Sequence, residues 1–210
     1  MSRPNQILLA TSNSHKLSEV REVLEPLGFE VVGLDSLPGT YPEPAEDEDT
    51  FEGNARLKAV GYAQSTGIRC LADDSGLVVD ALGGQPGVHS ARWAGVDGTR
   101  AERDAANNAK LLQAMTGIPE PERGARFVCM MCLADPDGTV LAETGGSFEG
   151  VITDDPAGEN GFGYDPLLYL PSEGCTSAEL ASEDKNDRSH RGSAARAMAR
   201  ELNQLRVGES

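Results

Sequence analysis

A mixed β-sheet flanked by helices, in an α/β or α+β chain, is the fold this sequence predicts, on three observations. Short apolar runs that read as strands alternate with segments of helical periodicity. Two long strand-like stretches, 126–134 and 139–148, are joined by Asp135-Pro136-Asp137-Gly138, a turn sequence that makes an antiparallel hairpin. No strict strand–helix–strand rhythm runs through the chain, which argues against a purely parallel sheet.

The elements follow in order. Residues 7–11 read as a buried strand, followed by a polar turn and a helix with Leu17, Val20, Leu24 and Leu27 at helical spacing. Gly28 is its natural stop. Residues 30–34 are a second strand and 41–52 an acidic loop, within which Thr50 caps a helix to about Gly67. Residues 69–72 and 77–80 are strands on either side of an Asp73-Asp74-Ser75-Gly76 turn. Thr99 and Glu102 form a capping box that opens a helix to about Met115. Beyond the hairpin lie a Gly/Pro-rich loop over 154–163, a strand at 167–170, a short helix near Ser177 and a last helix over about 189–205.

A chain of 210 residues with 39% hydrophobic content can form one large domain or two lobes sharing a sheet. With 34 acidic residues against 18 basic ones the net charge is −16, which repels nucleic acid and anionic membranes. The expected partner is a small molecule, held where the few cations gather. No apolar run approaches the roughly 20 residues that span a bilayer, and the N-terminal apolar stretch is too short for a signal peptide. A cytoplasmic protein with reduced thiols is expected. Cys129 and Cys132 form a C-x-x-C pattern inside an apolar strand, where residues three apart face opposite ways, so both read as core.

Four segments carry chemistry. Asp73 and Asp74 end an apolar stretch, and two adjacent carboxylates near a core are costly without positive partners. If the strand breaks at this point, at least one of them can face a metal or a water; the same residues are also ordinary turn formers. Thr11, Ser12, Asn13, Ser14, His15 and Lys16 lie between the first strand and the first helix, where helix amides, hydroxyls and a lysine suit a phosphate. A plain N-cap by Ser12 or Ser14, with Lys16 solvated, explains them equally. The loop around Glu46 could give a carboxylate to a hard cation. Phe162, Gly163, Tyr164 and Asp165 offer aromatic faces and a carboxylate to a base, while Lys185, His190 and Arg191 put cations before and within the first turn of the last helix, where the dipole disfavours them.

The stretches ILLATSNSHKLSEV, TFEGNARLKA, LADDSGLVVDALGGQPGVHSARWAG, GENGFGYDPLLYLP and SHRGSAARAM, in this order, resemble the ITP/XTP pyrophosphatase family of nucleotide house-cleaning enzymes. The resemblance implies a single domain over 1–210, an elongated mixed sheet with helices around it, two lobes with a central nucleotide cleft, and a homodimer. It implies Mg2+-dependent hydrolysis of ITP, dITP and XTP to the monophosphate and pyrophosphate. By matching positions, Asp74 would be general base and metal ligand, and Glu46 the second metal carboxylate. The segment from Thr11 to Lys16 would bind the triphosphate and Ser75 would contact substrate. Phe162 to Asp165, Lys185, His190 and Arg191 would complete the nucleotide site, with Arg191 a candidate donor to the C6 oxygen of the base. One departure stands out: Gly53 occupies a position where the family often has Glu.

Overall fold

The computed structural model describes residues 5–208. Its strands are β1 (Gln6–Leu9), β2 (Glu30–Gly33), β3 (Cys70–Val79), β4 (Gly124–Ala134), β5 (Val140–Ile152), β6 (Leu168–Leu170) and β7 (Cys175–Thr176). Its α-helices are α1 (Ser14–Leu24), α2 (Phe51–Thr66), α3 (Arg100–Ala114), α4 (Ser182–Arg188) and α5 (His190–Gly208). The strands form one mixed sheet in the order β2-β1-β3-β4-β5-β6-β7. β1 pairs in parallel with β2 and β3, whereas β6 pairs antiparallel with β5 and β7.

The chain divides into two compact units, each with its own core. The first comprises residues up to Asp74, 129–146 and those from His190 onward. Here the strand alternation separates two clusters. Ile7 and Leu9, Leu71, and Cys129, Met131 and Leu133 pack with Val20 and Leu24 of α1 and with Ala195, Met198 and Leu202 of α5. The intervening residues, Leu8 and Ala10, Cys70 and Ala72, and Cys132 and Ala134, pack with Ala55, Ala59, Tyr62 and Ala63 of α2. The second unit, 75–128 and 147–189, is built around Leu77, Val79, Phe127, Phe148 and Ile152 with Leu111 of α3 and Met115, which caps that helix.

The predicted caps are present. Thr50 accepts from the Gly53 N–H, Gly67 closes α2 in the left-handed region, and Thr99 and Glu102 make a reciprocal capping box on α3. Cys129 and Cys132 are fully buried on opposite faces of β4, as the spacing requires, and burial pushes both thiols up to about 12.

Three expectations are corrected. α1 stops at Leu24 and continues as a 3-10 turn before Gly28, which swings Leu27 out to solvent. Ser177 follows β7 and is not helical; the short helix, α4, starts at Ser182. The largest correction concerns the acidic doublet. Residues 73–76 are not a turn but the middle of the ten-residue strand β3. Gly76 is there for close approach: a β-carbon would overlap the Ser90 hydroxyl and the Gly87 carbonyl oxygen, and Ser90 Oγ accepts the Leu77 N–H at 2.9 Å. Among the described residues, no helix is long and apolar enough to cross a membrane.

Candidate active site

Because β3 is unbroken, its side chains alternate through the doublet. Asp73 shares a face with Leu71 and points to α1 and α5; Asp74 shares a face with Ala72 and points to α2. Both are buried, yet their surroundings differ. Lys16 Nζ donates to Asp73 Oδ2 at 2.8 Å, and Arg191 Nε lies 3.4 Å from the same oxygen. Burial favours a neutral Asp73, but Lys16 and Arg191 outweigh it and hold the carboxyl well below the usual carboxylate range. Lys16 is therefore an internal partner rather than a solvated side chain.

Asp74 has the opposite balance. Burial, with Glu46 nearby, pushes its pKa up against the pull of Lys58. Its Oδ2 accepts from Asn54 Nδ2 at 3.2 Å, and its Oδ1 lies 3.4 Å from Lys58 Nζ. The Lys58 ammonium also reaches Glu46 Oε1 at 3.1 Å. Neither Asn54 nor Lys58 was singled out in the sequence. A signal existed: they sit one turn apart on the buried stripe of α2, among Ala55, Ala59, Tyr62 and Ala63. Two polar side chains on such a stripe must have partners inside.

A cavity of about 350 Å3 opens against this cluster, and its lining includes Thr11, Ser12, Asn13, Lys16, Glu46, Lys58 and Asp73. Asp74 is not part of the lining; it reaches the cavity through Lys58. The N-cap of α1 is Asn13, not Ser12 or Ser14: its side chain accepts the His15 N–H, and Thr11 Oγ1 accepts the Asn13 N–H at 3.1 Å. α1 has no acidic residue in its first turn. A helix N-terminus with hydroxyl groups and two lysines beside it suits a phosphate chain.

The donor set also fits Mg2+. Glu46 and Asp74 are hard oxygen donors that already converge on one cation, the Lys58 ammonium, which marks where positive charge is favoured. Among the described residues no group of three or more His, Cys, Asp or Glu could hold a metal ion. Lys58→Met should therefore destabilise the protein in chelator by about 3 kcal/mol, since it leaves the buried Asp74 and the half-buried Glu46 without their cation. Added Mg2+ should restore much of that loss in a thermal unfolding assay, and no recovery would count against a metal at these carboxylates.

Arg191 and His190 open α5, as expected. Arg191 is only 2% exposed, and its guanidinium is engaged by Asp73 and by Glu19. The cation that disfavours the helix dipole is thus held by two carboxylates of the protein itself. His190 is buried too, and a β-carbon on Gly146 of β5 would overlap its carbonyl oxygen.

The second unit gathers the other predicted residues around Asp165, which is 2% exposed. Its carboxylate accepts the Phe162 N–H at 2.7 Å, the Ser177 hydroxyl at 2.7 Å and the Lys185 ammonium. The Arg100 guanidinium stacks over the Phe162 ring at 4.2 Å, and Lys185 Nζ lies 5.7 Å from its centroid. Asp104 accepts the Gly163 N–H, and the Tyr164 hydroxyl donates to the Ser90 carbonyl. Ser75 is half-buried in this unit.

Comparison with known proteins shows the family of the chain. Residues 7–201 match the sequence pattern of the Ham1 family. A dITP/XTP pyrophosphatase of Desulforamulus reducens is 48% identical over 202 residues, covering 96% of this chain and 98% of its own. A HAM1 protein from Coxiella burnetii, of known structure, superposes with a TM-score of 0.84 at 38% identity, covering 95% of this chain and 98% of its own. A nucleoside-triphosphatase, dITP/XTP pyrophosphatase, from Mycobacterium abscessus gives a TM-score of 0.73 at 46% identity over 92% of this chain and 98% of its own. With the match running from β1 into α5, the chain belongs to the Ham1 family.

Proposed function

We propose that this protein is a nucleoside-triphosphate pyrophosphatase acting on deaminated purine nucleotides, dITP, ITP and XTP, and releasing the monophosphate and pyrophosphate. The observation that carries the reading is the first unit's cluster, in which Lys58 and Glu46 line a cavity rimmed by the start of α1 and Asp74 lies behind Lys58. Relatives named dITP/XTP pyrophosphatase, matched over nearly their whole length, support the substrate class.

In the mechanism we propose, Thr11, Ser12, Asn13, Ser14 and His15 at the start of α1 hold the phosphate chain through backbone N–H and hydroxyl donors. Lys16 and Lys58 place positive charge beside it. Asp74 orients a water and takes its proton; the water oxygen bonds to the α-phosphorus while the bond to the β-phosphate oxygen breaks and pyrophosphate departs. Glu46 and Asp74 would hold Mg2+, which when bound neutralises charge on the phosphate oxygens. The raised pKa of Asp74 suits a group that must accept a proton. Phe162, Gly163, Tyr164, Asp165, Lys185, Ser75 and His190 serve the nucleoside end, and Arg191 acts by fixing Asp73 and so Lys16. The enzyme works as a cytoplasmic homodimer with the whole chain as its catalytic domain, and its net charge of −16 keeps it off nucleic acids and membranes.

Pyrophosphate release measured with Mg2+ on dITP, XTP, dATP, dGTP and dTTP tests this. Release from dITP and XTP should exceed that from dATP by at least about a hundredfold, since a site bonded to the C6 oxygen leaves an adenine amino group facing a donor. Equal rates on all five would keep the chemistry and discard the base selectivity.

A further inference from the structure

The two candidate metal carboxylates come from segments with little reason to stay together: Glu46 from an irregular acidic loop, Asp74 from the middle of β3. Lys58 offsets the repulsion between these like charges, but an ammonium on a flexible stem does not fix their spacing, which takes a directional contact. We infer that Asn54 is the positioning residue that makes this contact, a deepening of the reading above that rests on Glu46 and Asp74 being the metal pair.

Asn54 is 1% exposed and spends its carboxamide on both segments. Its Oδ1 accepts the Glu48 N–H at 3.1 Å, its Nδ2 donates to the Glu48 carbonyl at 3.1 Å, and the same nitrogen donates to Asp74 Oδ2 at 3.2 Å. The loop backbone two residues from Glu46 is thereby tied to the oxygen of Asp74 that does not face Lys58. The amide orientation is settled by its surroundings: reversed, it would set its oxygen against a carbonyl and a carboxylate. No other side chain of this size supplies an acceptor and a donor to the backbone of one residue and a donor to a carboxylate. Aspartate would place a third negative charge there, and alanine would leave the Glu48 N–H and carbonyl and the buried Asp74 each short of a partner.

Gly53 belongs to the same device. A β-carbon on it would stand 2.7 Å from Glu48 Cβ and 2.8 Å from Glu48 Cγ. The side chain of Glu48 therefore fills the space above Gly53 while its backbone is held by Asn54. The residue beside the clamp is bare because the clamped residue lies on it, so the absence of a family-type Glu at position 53 leaves no gap in the loop.

The test uses Mn2+ alone as probe, with calorimetry on the nucleotide-free protein and hydrogen exchange at the Glu48 amide. Asn54→Ala should weaken Mn2+ binding at least about tenfold, the size of effect that partners of metal ligands have, and should speed Glu48 exchange. At saturating Mg2+ much of kcat should return. Gly53→Ala is the companion variant: the better helix propensity of alanine offsets part of the cost of displacing Glu48, so it should fold and still lose Mn2+ affinity, because the new methyl group pushes Glu48 away. It decides the matter if Asn54→Ala does not fold. Unchanged Mn2+ affinity in either folded variant, with Glu46→Gln weakened, overturns the role of Asn54 and leaves the metal reading intact. Unchanged affinity in Glu46→Gln and Asp74→Asn sinks the metal reading itself.

Discussion

Asp74→Asn should lower kcat by about 10²–10⁴-fold, the range over which a positioned general base acts, with the fold intact. The two halves of that expectation have one origin. Burial and Glu46 push the pKa of Asp74 up, so its ionised form is held at a cost to folding. A group with a raised folded-state pKa contributes stability below its unfolded pKa and loses it as pH rises through the folded value. Asparagine escapes that loss but presents an N–H to Lys58 or to Asn54, both donors, and forfeits about one hydrogen bond. Unfolding free energy at pH 7 should then change by no more than about 1 kcal/mol, and the comparison should move in favour of the variant as pH rises. Urea unfolding at pH 5 and pH 8 beside single-turnover kinetics checks both. Near-parental turnover would remove Asp74 from the base role.

Arg191→Met should be the most destabilising single change in the first unit. Its buried guanidinium is shared by Asp73 and Glu19; without it Asp73 keeps Lys16 alone and Glu19 loses this cation, and breaking a buried pair costs about 3–5 kcal/mol. For a chain of this size that is a fall in Tm of roughly 6–20 °C. The sign with pH is fixed as well. Asp73 has a depressed folded-state pKa, so its contribution is present above the ordinary carboxylate value of about 3.9 and is lost as pH falls towards the folded one. The stability gap between parent and variant should be full at pH 7 and narrow below about pH 4. A gap that does not depend on pH would mean that Arg191 stabilises by packing and not through Asp73. Because Asp73 also holds Lys16, the variant should raise KM for the triphosphate even where it remains folded.

These residues show what was legible in the sequence. The caps at Thr50 and Thr99, the hairpin at Asp135-Pro136-Asp137-Gly138, the opposed thiols of Cys129 and Cys132 and the start of α5 at His190 all depend on neighbours within a few positions, and such short-range preferences survive folding. The motif order was legible too, and with it the Ham1 family, whose pattern covers residues 7–201. Asp73-Asp74-Ser75-Gly76 misled because its turn propensity is real but local. The place of β3 in the sheet between β1 and β4, and the approach of Ser90 to Gly76, overrode it.

The sequence alone settled most of the helices and strands, and that two carboxylates stand side by side in an apolar stretch. Only the tertiary structure decided that they do opposite things. Strand alternation sends Asp73 towards Lys16 and Arg191, and Asp74 towards Asn54, Lys58 and Glu46, across 118 residues of chain in one case and 20 in another. Which helix covers which face of a sheet follows from burial of the whole apolar surface and not from any local pattern. The low pKa of Asp73, the raised pKa of Asp74 and the interior placement of Arg191 are consequences of that packing.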